Sequence, residues 1–125
     1  MTAARIFMAI AAVLGGTAVA AGAFATHALR SQLSDRLLAV FETGARYQMY
    51  HALALLLVAV VLNQGLGALR LLTAAGWAFV AGTAVFSGSL YALALTGQSL
   101  LGAVAPLGGA VLMLGWGCLA LAALL

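Results

Sequence analysis

Ile6 to Leu29 reads IFMAIAAVLGGTAVAAGAFATHAL, a run without one formally charged side chain. A helix rises about 1.5 Å per residue, so about 20 apolar residues cross a hydrocarbon core about 30 Å thick. This run is long enough to do so. Arg5 ahead of it and the small residues Ala18, Val19 and Ala20 inside it imitate a secretory signal. The apolar stretch is nevertheless too long for a signal core, and it reads as a retained span.

Working outward, three more stretches have the same character. Leu71 to Leu95 follows Arg70 at its edge, Leu100 to Leu125 carries Pro106 near its start, and Tyr47 to Leu62 is shorter unless it begins near Ala45. A proline at such a place kinks a helix or occupies its first turn. The predicted helices are residues 4–29, 45–63, 68–96 and 100–124. Short connections make neighbours antiparallel, so the expected fold is an all-α, four-transmembrane-helix bundle forming one domain over residues 1–125.

Composition supports this reading. Hydrophobic residues make up 66% of the chain and charged residues 6%, far from the quarter or so of charged residues in a soluble domain. The net charge of +3 comes from five arginines against Asp35 and Glu42, all near the ends of apolar runs. That is the pattern of membrane orientation, not of a nucleic-acid surface. The arginines Arg30, Arg36 and Arg46 outnumber Arg5 and Arg70, which favours a cytoplasmic position for the Arg30 side. The single cysteine, Cys118, excludes an intrachain disulfide and reads as a small apolar side chain.

Between the first two spans lies RSQLSDRLLAVFETGARYQMYH, Arg30 to His51, the one segment of mixed character. Leu33, Leu37 and Phe41 recur every four residues, which predicts a short amphipathic helix over residues 33–43 lying in the membrane interface. Ser34 is its expected N-cap, with Asp35 at the positive end of the helix dipole. Glu42 is expected to pair with an arginine, Arg46 by its i,i+4 spacing or Arg30 or Arg36 across the fold.

The two histidines, His27 and His51, bracket this segment. Antiparallel helices would bring them to a similar depth, so His27, Arg30, Glu42, Arg46, Tyr47, Tyr50 and His51 are expected to gather in one membrane layer. The plain reading is a set of interfacial hydrogen bonds, with Tyr47 and Tyr50 in the aromatic belt and Trp77 anchoring the opposite side. The sharper reading is a haem or metal held by the two imidazoles, in a redox subunit. Neither a further carboxylate cluster nor a Cys ligand completes such a site, and no cofactor or metal is predicted.

Small residues recur at spacings of four and seven: Ala18 with Gly22, Ala78 with Gly82, Ala84 with Gly88, Gly102 with Gly109. In lipid they allow close backbone approach, and Gly82, Gly88 and Gly109 are expected to face other helices. Thr83, Ser87 and Ser89 are expected to bond to helix carbonyls or across to a neighbouring helix, and no general base near them suggests a serine nucleophile.

Four ordered motifs carry a resemblance: Gly22-Ala23-Phe24-Ala25-Thr26-His27-Ala28-Leu29, Arg46-Tyr47-Gln48-Met49-Tyr50-His51-Ala52-Leu53-Ala54, Phe86-Ser87-Gly88-Ser89-Leu90-Tyr91 and Pro106-Leu107-Gly108-Gly109, with Trp116 beyond. On these the chain resembles the domain of unknown function 423 family, which includes bacterial YgdD-like inner-membrane proteins and the eukaryotic transmembrane protein 256. The resemblance implies a multi-pass protein of the bacterial inner membrane and no established activity. It departs from the family pattern at Ala25-Thr26, where Gly-Ala usually precedes the histidine.

Three functions are consistent with these readings. The first is a non-enzymatic accessory or structural component that docks on a larger membrane assembly or organises lipid. The second is the redox subunit. The third is a small channel or carrier, disfavoured by the lack of charge at the centre of any span. Expected partners are membrane lipids, other membrane subunits or a homo-oligomer, with no nucleic acid.

Overall fold

The computed structural model describes residues 1–125. Helix α1 spans Ala3–Phe24 and continues through a π-helical turn, Ala25–Leu29; α2 spans Asp35–Gln64, α3 Leu69–Thr96 and α4 Leu100–Leu124. All four are long and apolar enough to cross a membrane. They run antiparallel in chain order.

The caps follow from sequence. Ser34 is extended and its Oγ accepts from Leu37 N–H at 3.2 Å, with Asp35 in the first turn, which stabilises the start of α2. At the other end Gly65 adopts φ 68°, and Leu66 N–H donates to Val61 C=O at 3.3 Å, closing the helix in a Schellman turn. Gly97, at φ 73°, ends α3 in the same left-handed conformation. Pro106 does not occupy the first turn: α4 starts six residues earlier and continues through it as helix.

The second helix corrects the sequence reading. No separate interfacial helix exists over residues 33–43; that segment is the first turns of α2. The reason is that the inward face is unbroken: Phe41, Gly44, Ala45, Gln48, His51, Ala52, Leu55 and Val58 are all buried along one helical stripe. Gly44, the one weak helix former on the way, is held by contact, since a Cβ there would lie 2.9 Å from the Tyr91 ring. Phe41 packs with Ala25, Leu29 and Ala94 in a small cluster that fastens the start of α2 to the ends of α1 and α3.

A 30-residue helix is about 45 Å long, about 15 Å more than the hydrocarbon needs. Counting about 30 Å back from Leu62 reaches Glu42, so Asp35 to Phe41 extend into the headgroup layer.

Packing is serial. α1 lies on α2, α2 on α3 and α3 on α4, while α1 and α4 share no substantial interface. Consequently α2 and α3 are 44% and 39% buried over their spans, against 17% and 22% for α1 and α4. The main core joins Phe7, Leu55, Val58, Phe79 and Leu112. Phe7 sits edge-on to Trp77 at 5.2 Å and supplies the main contact of α1 with α3.

Glycine supports the tightest crossings. A Cβ on Gly82 would lie 2.7 Å from Leu112 and one on Gly115 2.7 Å from Phe79, which puts both on the α3–α4 seam. Gly109 lies near the Phe86 ring with ordinary room for a Cβ at 3.7 Å. Gly88 is the exception: it is exposed and nothing lies within 4 Å of its would-be Cβ, so the expectation that it faces a helix is corrected. Ser87 and Ser89, on either side of it, are the buried residues of that turn, and helical geometry turns Gly88 outward.

Candidate functional site

The polar side chains of the bundle meet in the middle of α2. Gln48 donates from Nε2 to Leu14 C=O at 2.9 Å and to Thr17 Oγ1 at 2.7 Å, and its Oε1 accepts from the Tyr91 hydroxyl at 2.6 Å. The amide orientation is fixed by its partners, because the Thr17 hydroxyl already donates to Val13 C=O at 2.7 Å and can only accept from Gln48. One side chain thus ties α1, α2 and α3 together. Ser87 adds a second tie, donating to Gly44 C=O at 2.7 Å.

His51, one turn further on, is buried with both ring nitrogens engaged. Nδ1 lies 2.8 Å from Tyr47 C=O, and Nε2 lies 3.1 Å from Trp116 Nε1. A carbonyl only accepts and an indole N–H only donates, so the imidazole is neutral with its proton on Nδ1. Its single lone pair on Nε2 is taken by Trp116. Rings surround it, with Phe79 at 5.5 Å, Trp116 at 6.0 Å and Tyr47 at 6.4 Å between centroids.

Beside His51 a cavity of about 440 Å³ opens laterally between α2, α3 and α4. Its walls are Tyr47 and His51 from the second sequence motif, Phe86 from the third, Pro106 and Gly109 from the fourth, and Trp116 with Leu112 and Met113 beyond. Counted along the helices from Leu62 on α2 and Ala122 on α4, these residues lie about 9 to 24 Å up the bundle, where a spanning segment is about 30 Å long.

The expected polar layer does not form. His27 is exposed in the π-helical turn, whereas Ala52, next to His51, faces Gly15, where an added Cβ would lie 3.9 Å from that of Ala52, twelve residues before His27. At 1.5 Å per residue the histidines differ in depth by about 18 Å and share no ligand. The cause is the continuous α2, which starts near the end of α1 and carries His51 back to mid-membrane. Arg30 stays with His27 at the membrane surface, exposed; Tyr47 and Tyr50 are exposed near His51.

Glu42 and Arg46 line a shallow groove with Ala18, Gly22 and Thr26 of α1, but no arginine comes within 4.0 Å of the Glu42 carboxylate. The expected ion pair is therefore corrected. Glu42 is half-buried and Arg46 exposed, and at such a surface holding two long chains in one geometry gains little.

In α3 the hydroxyl expectations divide. Ser87 bonds across to α2, Ser89 bonds back to Phe86 C=O at 2.9 Å, and Thr83 Oγ1 is buried without a partner. No three His, Cys, Asp or Glu side chains lie close enough to share a metal ion.

The residues that organise this centre and escaped the sequence reading are Gln48, Tyr91 and Trp116. A signal for Gln48 was present: once α2 is extended to Asp35, it is the one side-chain amide in the middle of a span.

Comparison with known proteins identifies the family. Residues 21–109 match the family described as "Protein of unknown function (DUF423)". The UPF0382 membrane protein YwdK of Bacillus subtilis is 42% identical over 112 residues, covering 90% of each chain. The UPF0382 membrane protein SERP0230 of Staphylococcus epidermidis is 39% identical over 120 residues, 96% of each chain, and SAB0533 of Staphylococcus aureus is 41% identical over 112 residues, 90% of this chain and 89% of that one. No solved structure matches. With the family signature covering α2 and α3 entirely and reaching into α1 and α4, and relatives aligned along nearly the whole length, the chain belongs to the DUF423 family of UPF0382 bacterial membrane proteins.

Proposed function

We propose that this protein is a non-enzymatic component of the bacterial membrane that docks on a larger assembly or organises lipid. The observation that carries the reading is the use made of the buried polar groups. His51, Gln48, Tyr91 and Ser87 are each hydrogen-bonded to another helix or its backbone, so they hold helices together instead of presenting a free base or nucleophile. The outer helices α1 and α4, by contrast, are little buried and leave long apolar faces for neighbours.

A redox subunit based on His27 and His51 loses its geometric basis, since the imidazoles differ in depth and one is already occupied.

Affinity purification from native membranes in a mild detergent, followed by mass spectrometry of proteins and lipids and a visible spectrum on the same sample, tests the reading. Reproducible co-purification of other membrane subunits or a specific lipid, without pigment, is the expected result. A stoichiometric haem band, or ion or solute flux through the pure protein in liposomes, would overturn it.

A further inference from the structure

The lateral cavity beside His51 brings together aromatic and polar side chains from three helices without filling the space between them. Its position restricts what can enter. It opens at mid-membrane depth between α2 and α4, so its occupant must be dissolved in the bilayer. A volume of about 440 Å³ falls in the range of sites for small ligands and cofactors.

The lining narrows the chemistry further. Tyr47, Phe86 and Trp116 present aromatic surface, with the Tyr47 and Phe86 centroids 5.1 Å apart and tilted by 47°. Aromatic faces carry negative charge density and attract an electron-poor ring. The second feature is polar. The Tyr47 hydroxyl has no hydrogen-bond partner in the protein, although Tyr47 stands on the wall of this lipid-facing cavity, about 22 Å along α2 from Leu62. An unpaired hydroxyl there is unfavourable, and an acyl chain has no acceptor to offer it. A ring carrying a carbonyl oxygen has one.

We propose that this cavity is a lateral binding site for a membrane-dissolved molecule made of a planar, electron-poor ring with a carbonyl oxygen and a hydrocarbon tail, the chemistry of an isoprenoid quinone. The ring lies among Tyr47, Phe86 and Trp116, the carbonyl accepts from the Tyr47 hydroxyl, and the tail leaves past Met113, which is 70% exposed at the rim. His51 positions Trp116 through its Nε2 and takes no part in binding. Only binding is inferred, independently of whether the chain docks on an assembly.

The protein's two tryptophans make the test direct. Trp77→Phe keeps the edge contact with Phe7 and leaves Trp116 as the sole tryptophan, at the wall of the cavity. In phosphatidylcholine nanodiscs, a benzoquinone with a ten-carbon tail should quench Trp116 saturably. A dimethoxybenzene on the same tail, lacking carbonyls, should compete weakly, and tetradecane, an acyl-chain mimic that does not quench, should not block the quinone. Tyr47→Phe, which retains the ring, should raise the half-saturating concentration about tenfold, the loss expected for one hydrogen bond in a dry site. Gly109→Leu, whose Cβ has room but whose longer side chain enters the cavity, should abolish saturation.

Quenching that rises without saturation in the parent overturns the proposal. So does an unchanged half-saturation in Tyr47→Phe, or full competition by tetradecane, which would make the cavity an acyl-chain slot. If Gly109→Leu fails to fold, Tyr47→Phe decides alone.

Discussion

Replacing Gln48 by Leu isolates the value of the polar tie at the centre of the bundle. The two side chains are similar in volume, so no cavity is opened and the effect falls on hydrogen bonds. Three are lost: those to Leu14 C=O, to Thr17 and from Tyr91. Interhelical hydrogen bonds in membrane proteins average about 0.6 kcal/mol, with the best near 1.7. Three therefore amount to about 2 kcal/mol. Leu14 C=O and Thr17 keep partners on their own helix, but the Tyr91 hydroxyl is stranded, which brings the expected loss to between about 2 and 3 kcal/mol. The assay is reversible unfolding in mixed micelles of mild detergent and dodecyl sulfate, followed by circular dichroism. A double-mutant cycle with Tyr91→Phe should give a coupling of about 1 kcal/mol, since that variant removes the stranded group. A Gln48→Leu protein as stable as the parent, or a coupling indistinguishable from zero, would refute the reasoning.

Glycine gives a second, paired test. Gly108→Leu should cost several kcal/mol or prevent folding, because its Cβ would press on the Phe86 backbone, whereas Gly88→Leu, on an open face, should change stability by less than about 0.5 kcal/mol by the same unfolding assay. The histidines should separate likewise: His51→Phe strands the Trp116 N–H and should cost about 1 to 3 kcal/mol, while exposed His27→Ala should be neutral. Ser34→Ala removes the cap of α2 and should lower its local stability by about 1 kcal/mol, read as faster hydrogen exchange at the amides of Asp35 to Leu38.

Span length was legible because it depends on uninterrupted apolar sequence alone, and the third and fourth helices fall within a residue of the expected bounds. The start of α2 differs from the predicted residue 45 because apolar count sets the length of a span and not the length of the helix that carries it. Charge does not end a helix; a missing donor, a left-handed residue or a cap does, and nothing of that kind stands between Asp35 and Gln64. That one error propagated to the site. Shortening α2 brought His51 up to the level of His27, produced the polar layer, and drew attention away from Gln48. Gly88 was misplaced for a different reason. Spacing alone gives the turn of a helix but not which of two adjacent small or hydroxyl residues faces inward, and Ser87 had the carbonyl of Gly44 to reach.

The serial packing of the helices has a consequence for how the chain is assembled. Each helix touches mainly the one made before it, so every stage of synthesis presents a completed partner to the next segment. When α2 follows α1 into the membrane, the Gln48 amide finds Leu14 and Thr17 at once, already on the preceding helix. Its oxygen then waits for Tyr91 on α3, and the indole-accepting nitrogen of His51 waits for Trp116 on α4. No contact needs the last helix to return to the first. Insertion can therefore proceed in register with translation, each polar group being satisfied in the order in which its partner emerges.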